Sequence, residues 1–183
     1  SYEPITVQDL TAMAGKPRSI DASIELARLS LAGTQNKCGL FHDPKAPLGD
    51  GWYQPVGGAP SNYIIKFARE DLHDLMIVEH LSLTCAAACG VPSAKTALLN
   101  PSRPIICVER YDRLGSASEV INGQVAPLRQ HQEDITQAFG IMPEAKYRQL
   151  EPNTVTVLAD FFRNSSANPA QDIANLTRLL LFN

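Results

Sequence analysis

Apolar residues along the chain follow two different periods. In the first half they gather in short runs bounded by glycine, proline or asparagine, and such runs predict β-strands. Over 72–86, apolar side chains instead recur every three or four residues, which predicts a helix. This half of the chain is therefore predicted to be a sheet with one packed helix. The runs that predict strands cover 24–29, 38–41, 52–54, 62–67, 93–99 and 104–111.

The second half changes to helical patterns after Pro127. Just before that residue, Asn122-Gly123 is the dipeptide that favours a type I′ turn, so it predicts a hairpin between 119–121 and 124–126. The last predicted helix is still apolar at Asn183 and has no C-cap there, which is typical of a truncated protein. Helices are predicted over 132–139, over 154–164 and from 169 onward.

Composition excludes several classes of protein. The 183 residues include 44% hydrophobic and 19% charged side chains, so a disordered chain is excluded. A net charge of −3 argues against a basic nucleic-acid-binding protein, and no apolar stretch is long enough to span a membrane. The four cysteines form no Cys-x-x-Cys pair. Reduced, structural cysteines and a cytoplasmic location are therefore expected.

The first candidate for chemistry is a lysine on a strand and a glutamate on the helix. Lys66 ends the apolar run 62–67, and Glu79 lies on the apolar stripe of the helix that Asp71 can cap and Gly90 can end. A carboxylate on a buried face is costly unless a cation meets it, and Lys66 is the natural partner. Such a pair could hold an ammonium toward a triphosphate. A surface lysine and a glutamate at the edge of the stripe remain the alternative.

The second candidate is the turn between the first two predicted strands, 30–37. The small residues Ala32 and Gly33 would let backbone N–H groups approach phosphate oxygens, and Lys37 would add a cation. The segment lacks both the Gly-x-Gly-x-x-Gly spacing and the Gly-Lys-Ser/Thr end of a Walker loop. Taken alone, it is more typical of an ordinary hairpin turn.

The third candidate is the segment 105–113, where an apolar strand runs into alternating charged and aromatic residues. A hinge between two lobes needs such a strand, because its backbone groups can hydrogen-bond a purine edge. Tyr111 or Val108 could pack on the purine ring. A surface strand end with a Glu/Arg pair is the alternative.

The three candidates occur in the order of a protein-kinase N-lobe: loop, strand lysine, helix glutamate, hinge and helical lobe. At this level of detail the chain resembles the HipA family of bacterial toxin kinases, from Ile24 to Asn183. The matching positions are Ser30, Ala32, Gly33, Gln35 and Lys37 in the loop, 63–66 in the strand, 79–81 and 87–92 around the helix, 108–113 in the hinge, and 131–134, 137–140 and 146–147 beyond it.

The resemblance implies an α+β fold. It would consist of a kinase-like N-lobe, an antiparallel sheet with one packed helix, followed by the first helices of a C-lobe. The implied organisation is an N-terminal segment or linker at 1–22, the N-lobe at 23–112, and a hairpin with an incomplete C-lobe at 113–183.

The resemblance also implies an activity: a serine/threonine kinase of a toxin–antitoxin system. Its protein substrate would belong to translation, such as an aminoacyl-tRNA synthetase, and its partner would be a DNA-binding antitoxin of the HipB type. ATP and Mg²⁺ would be needed by the complete protein. Ser30 would be autophosphorylated, and the added negative charge should expel the loop and inactivate the kinase. ATP would be bound by Ala32, Gly33, Lys37, Lys66, Glu109 and Tyr111, with Glu79 pairing to Lys66.

Two departures from the family pattern matter. Asn36 replaces an acidic residue that is common before the loop lysine. More severely, the family's catalytic base and metal ligands lie beyond Asn183, so no catalytic or metal-binding residue is expected within this chain. The chain by itself is therefore expected to be inactive. The alternative function is a non-catalytic interaction module that binds an antitoxin or another protein.

Overall fold

The computed structural model describes residues 1–14, 37–68, 74–100, 103–114, 119–142, 145 and 153–183. The chain folds into two compact units. The first, which we call the sheet unit, contains Ser1–Cys85 and Ser93–Gln130. The second, which we call the helical unit, contains Ala86–Pro92 and His131–Asn183.

The sheet unit is built on a six-stranded sheet in which every neighbouring pair is antiparallel. In space the strand order is β1-β3-β2-β4-β6-β5. The sheet confirms the predicted strands within the described residues, except that the strand predicted at 93–99 begins only at Thr96 and the one predicted at 104–111 ends at Glu109. The predicted strand at 24–29 lies outside the described residues. The strands are β1 (Tyr2–Ile5), β2 (Lys37–His42), β3 (Trp52–Pro55), β4 (Tyr63–Phe67), β5 (Thr96–Leu99) and β6 (Ile105–Glu109).

Side chains alternate between the two faces of the sheet along each strand, so the apolar residues form two clusters, one on each face. Ile65 and Cys107 are cross-strand partners, so they lie on one face of the sheet, together with Leu10 of helix α1 (Val7–Ala14). Their cluster also contains Cys38, Leu40, Trp52, Phe67, Leu99 and Ile105.

On the opposite face, Ile106 packs with Ala68 and with Met76 of helix α2 (Asp74–Ala88). The helix confirms the one predicted after β4, although the proposed cap at Asp71 lies outside the described residues. Leu75 belongs to the apolar pattern over 72–86 but is exposed, because Met76, about 100° further around the helix, faces the sheet.

The first residues of the chain belong to the sheet unit. Tyr2–Ile5 pairs with β3 along its whole length, and Leu10 is fully buried in the core. The sequence set 1–22 apart as a segment or linker because its apolar runs are short and interrupted. Pairing with β3, which no local pattern shows, joins residues 1–14 to the sheet unit.

Two small ribbons complete the sheet unit. β7 (Arg113–Leu114) pairs with β10 (Leu128–Arg129). In the sequence between these two strands, β8 (Val120–Ile121) pairs with β9 (Gln124–Val125). The turn between β8 and β9 has φ of 49° at Asn122 and 79° at Gly123. Two positive φ angles are what a type I′ turn requires, so this predicted hairpin is confirmed.

The helical unit contains α3 (Ile135–Ala138), α4 (Thr154–Ser165) and α5 (Pro169–Phe182). The predicted helix at 132–139 is wrong at its start, because Asp134 is an extended N-cap whose side chain accepts from Gln137 N–H. The other two predictions are confirmed to within one residue at their described ends. In the described part of the chain, no helix is both long and apolar enough to cross a membrane.

Candidate functional site

The predicted pair of Lys66 and Glu79 is formed. Lys66 Nζ donates to Glu79 Oε1 in an ion pair between β4 and α2, and the two side chains are 22% and 23% exposed. Lys66 lies directly opposite Ile106, whose contact with Met76 brings α2 onto this face of the sheet. The packing of α2 on the sheet therefore places the carboxylate of Glu79 next to Lys66.

A second lysine faces the first. In the β2–β4 pairing, Lys37 is the direct cross-strand partner of Lys66, so both side chains start from the same face of the sheet. Like charges placed opposite each other are destabilising, and the carboxylate of Glu79 offsets this repulsion. The ion pair of Lys66 with Glu79, with Lys37 directly across the sheet, forms a suitable place for a phosphate group.

Helix α2 is also tied to the edge of the sheet. His80, next to Glu79, shares a hydrogen bond of 2.7 Å between its Nδ1 and the Oγ1 of Thr96 on β5. Together with the burial of Met76, this contact fixes the helix at a second point close to the ion pair. The orientation of Glu79 is thus supported by polar and apolar contacts.

The predicted hinge follows β6. The backbone N–H of Glu109 donates to the carbonyl of Lys95 at 2.9 Å, so any adenine contact from Glu109 has to use its carbonyl oxygen. The next residue, Arg110, donates its N–H to the carbonyl of Asn62 at 2.9 Å. Tyr111 then stands 75% exposed at the surface. Within this segment, the tyrosine is positioned to meet a ligand.

Sequence reasoning missed Asp112, which is 5% exposed. The alternative considered for this segment was a Glu/Arg pair, but Arg110 pairs with Asp112, and so does Arg113. Burial by itself would raise the pKa of Asp112, yet the hydrogen bonds and charge of Arg110, with the charge of Arg113, outweigh it and hold the pKa below its ordinary value. The only signal in the sequence was an acidic residue that follows Arg110 by two positions and directly precedes Arg113.

The buried cysteines of the sheet are not suited to covalent chemistry. Cys38 and Cys107 lie in the core, and burial, reinforced by Cys38, raises the pKa of the Cys107 thiol to about 12. A thiol of that pKa is not ionised near neutral pH and is a poor nucleophile. Cys85 and Cys89 are reduced as well, but they are exposed and do not belong to the core.

The remaining predicted residues, Ser30, Ala32 and Gly33, lie outside the described residues, so their roles stay predictions. The site that the structure does bring together consists of Lys37, Lys66 and Glu79. Among the residues that the structure describes, no three His, Cys, Asp or Glu side chains converge in a way that could hold a metal ion.

The chain is similar to known proteins over most of its length. A family model described as HipA-like C-terminal domain matches residues 29–183. The chain is 34% identical over 179 residues to "Putative kinase Y4mE" of Sinorhizobium fredii, and the match covers 97% of this chain and 39% of that protein. It is 33% identical over 123 residues to a Shewanella oneidensis protein named serine/threonine-protein kinase toxin HipA, covering 67% of this chain and 26% of that one.

A solved structure is similar as well. It is the complex of HipA, HipB and operator DNA from Shewanella oneidensis MR-1, with a TM-score of 0.59 and 29% sequence identity. The match covers 80% of this chain and 32% of that chain. This chain therefore spans about two fifths or less of the length of these relatives.

Proposed function

The chain belongs to the HipA-like C-terminal domain family, and on that premise we propose that it forms the nucleotide-binding part of a serine/threonine protein kinase. The observation that carries the proposal is the ion pair of Lys66 with Glu79, with Lys37 directly across the sheet. Phosphoryl transfer depends on positioned cations more than on covalent chemistry in the protein, so a held lysine is the feature to expect. The names of the relatives support the same class.

In the proposed site, Glu79 keeps the ammonium of Lys66 at the face of the sheet, where it can contact phosphate oxygens of ATP. Lys37 approaches from the neighbouring strand and adds a second cation. The γ-phosphoryl group would pass to a serine or threonine oxygen, while its bond to the β-phosphate oxygen breaks and leaves ADP. In the family that the chain resembles, the base for the hydroxyl proton and the Mg²⁺ ligands lie beyond the positions that match this chain, so we propose that this chain alone does not catalyse transfer.

The adenine end of ATP would lie at the hinge. Glu109 would offer its backbone carbonyl to the purine edge, since its N–H is already bonded to Lys95. Tyr111 would pack on the ring, which is consistent with its exposure. ATP would thus extend from the hinge at one end to Lys66 at the other.

Calorimetric titration of the protein with Mg·ATP tests this assignment. Lys66→Ala should weaken binding by on the order of tenfold or more, because it removes one charge-assisted contact. Lys45→Ala is the matched control, since Lys45 is an exposed lysine of the same unit and its loss changes the net charge equally. Equal affinities of wild type and Lys66→Ala would contradict the proposal and leave the interaction module as the function to test.

The partner and the substrates are further parts of the proposal. The solved relative is a complex of HipA with HipB and operator DNA, which supports a HipB-type, DNA-binding antitoxin as the partner here. A translation protein such as an aminoacyl-tRNA synthetase is proposed as the substrate from the family resemblance alone. Co-purification with the antitoxin, and phosphopeptide mapping of a purified synthetase, would test the two assignments separately.

Ser30 is proposed as the site of autophosphorylation. In the complete kinase, mass spectrometry after incubation with ATP should find one phosphate that Ser30→Ala loses. The 183-residue chain incubated alone should carry none. A phosphate retained in Ser30→Ala would contradict the assignment of the residue.

A further inference from the structure

A buried polar cluster follows the hinge strand directly, and Asp112 lies at its centre. Its carboxylate accepts from Arg110 twice, at 3.0 Å from Nε to Oδ1 and at 2.8 Å from Nη2 to Oδ2, and it also pairs with Arg113. The side chains of Arg110, Asp112 and Arg113 are only 11%, 7% and 9% exposed. Bidentate arginine–carboxylate pairs have one well-defined geometry, so this cluster is rigid.

The cluster is anchored to the connection that precedes β4. Arg110 Nη1 donates to the hydroxyl of Ser61 at 3.1 Å, and Arg113 Nε donates to the carbonyl of Ser61 at 3.0 Å. We call these four residues, Ser61, Arg110, Asp112 and Arg113, the hinge clip. It fastens the segment after β6 to the loop before the strand that carries Lys66.

The clip holds the backbone on both sides of Tyr111. Arg110 and Asp112 flank the tyrosine in sequence and bond to each other through their side chains, and Arg113 N–H donates to the carbonyl of Arg110 at 3.3 Å to close a turn. Both neighbours of Tyr111 are therefore held while its own side chain stays exposed. A buried polar cluster that fixes the backbone around an exposed aromatic residue favours a role in ligand binding.

Gly39 makes room for the anchor. A Cβ atom at Gly39 would lie 2.8 Å from Ser61 Oγ, closer than such atoms approach in real proteins. Gly39 is two residues after Lys37 on β2, so the clip also contacts the strand that carries the second lysine. A larger residue there would force the Ser61 hydroxyl away from Arg110.

We propose that Asp112 is a positioning residue for the adenine end of the nucleotide: through Arg110, Arg113 and Ser61 it fixes the turn around Tyr111 before the ligand arrives. The inference rests on the proposed function, because it takes adenine to be the group that meets the hinge. Preorganisation of this kind improves affinity by removing the entropy cost of ordering the turn on binding. We expect its main effect at the adenine end, since the side chains of Lys66 and Glu79 lie outside the clip.

Two ligands separate the two ends of the site. Mg·ATP needs both the hinge and Lys66, whereas inorganic tripolyphosphate can use only the phosphate end. We expect Asp112→Asn to weaken ATP binding by on the order of tenfold in calorimetry and to leave tripolyphosphate within about twofold of wild type. Lys66→Ala should weaken both ligands. Hydrogen exchange of the Arg113 amide, which closes the turn by donating to the carbonyl of Arg110, should be faster in Asp112→Asn without any nucleotide.

Gly39→Ala provides a second variant in case Asp112→Asn does not fold. It keeps every charge of the clip and displaces the Ser61 side chain, so it should weaken ATP binding severalfold and leave tripolyphosphate binding unchanged. Wild-type ATP affinity in both variants would overturn the inference, and so would an equal loss of both ligands in Asp112→Asn. A wild-type protein that binds neither ligand would instead refute the proposed function, and the positioning role with it.

Discussion

The two units of this chain bury their apolar residues very differently. In the sheet unit, Ile65, Ile105 and Cys107 are fully buried, and one apolar cluster extends from α1 across the five strands β2 to β6. In the helical unit, α3, α4 and α5 contain no buried residue among those the structure describes. Val155 there is 53% exposed, and Leu181 is 82% exposed.

This difference shows where rigidity is available for function. Backbone pairing across six strands and a buried apolar core hold the sheet unit in one arrangement. Lys66 and Glu79 belong to that unit, and each is attached to an element that packs on the core or on Ile106. The helices of the other unit rely on local bonds and on a few contacts such as the Phe139–Phe161 pair, whose ring centroids are 5.0 Å apart. Function that depends on fixed distances is therefore expected in the sheet unit.

The largest expected effect comes from removing a core side chain of the sheet unit. Ile65 is 0% exposed, so Ile65→Ala should lower the free energy of unfolding by about 3–4 kcal/mol, the sum of lost burial and a cavity. Leu181→Ala, the matched deletion in the helical unit, should change it by less than about 0.5 kcal/mol. Urea unfolding measures the free-energy change in both variants when it is monitored by far-UV circular dichroism and by the fluorescence of Trp52, the single tryptophan. Equal effects of the two substitutions would contradict the comparison.

The strands could be predicted because their signals are local. Apolar runs between glycine and proline predict 38–41 and 52–54, and the strands cover Lys37–His42 and Trp52–Pro55. The pair of Lys66 and Glu79 could also be predicted, since a carboxylate on an apolar helix face requires a cation. The start of α3 was missed although its signal was present: Asp134 and Gln137 have the spacing of a capping box.

Contacts between distant strands could not be predicted in the same way. Lys37 lies opposite Lys66 because β2 and β4 are neighbours in the sheet. The sequence of either strand alone does not indicate which strand it pairs with. Arg110 pairs with Asp112 rather than with Glu109 because Asp112 is the carboxylate that is buried beside Ser61. Burial is a property of the assembled sheet, so the hinge clip became visible only in the structure.

Breaking the hinge clip should have the second largest effect. Asp112→Ala leaves Arg110 and Arg113 buried without their anion, and we expect a loss of about 3 kcal/mol in the free energy of unfolding. The pKa of Asp112 is lowered in the fold from its ordinary value of 3.8, so its stabilisation is present above that pH and is lost as the pH falls through the folded pKa. Urea midpoints at pH 7 and pH 3 should therefore differ less in Asp112→Asn than in wild type. An unchanged acid dependence would show that Asp112 is not the group that titrates.

A smaller effect is expected where the N-terminal strand joins the sheet. The hydroxyl of Tyr2 donates to the carbonyl of Pro60 at 2.7 Å, and Tyr2→Phe should cost about 1 kcal/mol by leaving that carbonyl unpaired. Burial and then the charge of Glu119 raise the pKa of Tyr2 to about 12. The stabilisation from the neutral hydroxyl is thus complete below pH 10 and is lost between about pH 10 and 12. The urea midpoints at pH 9 and pH 11 should differ less in Tyr2→Phe than in wild type. Tyr111→Phe, an exposed control, should have the wild-type midpoint at both pH values.

The smallest effect is expected from an arginine–aspartate pair on α4, which has the chemistry of the hinge clip without its burial. Arg163 pairs with Asp160 one turn earlier, and the side chains are 59% and 58% exposed. Water already solvates both charges, so Arg163→Ala should change the free energy of unfolding by less than about 0.5 kcal/mol. Circular dichroism at 222 nm during urea unfolding measures it, and 0.5 M NaCl should reduce even this difference. A loss as large as that of Asp112→Ala would mean that burial does not separate the two units, since the paired groups are the same.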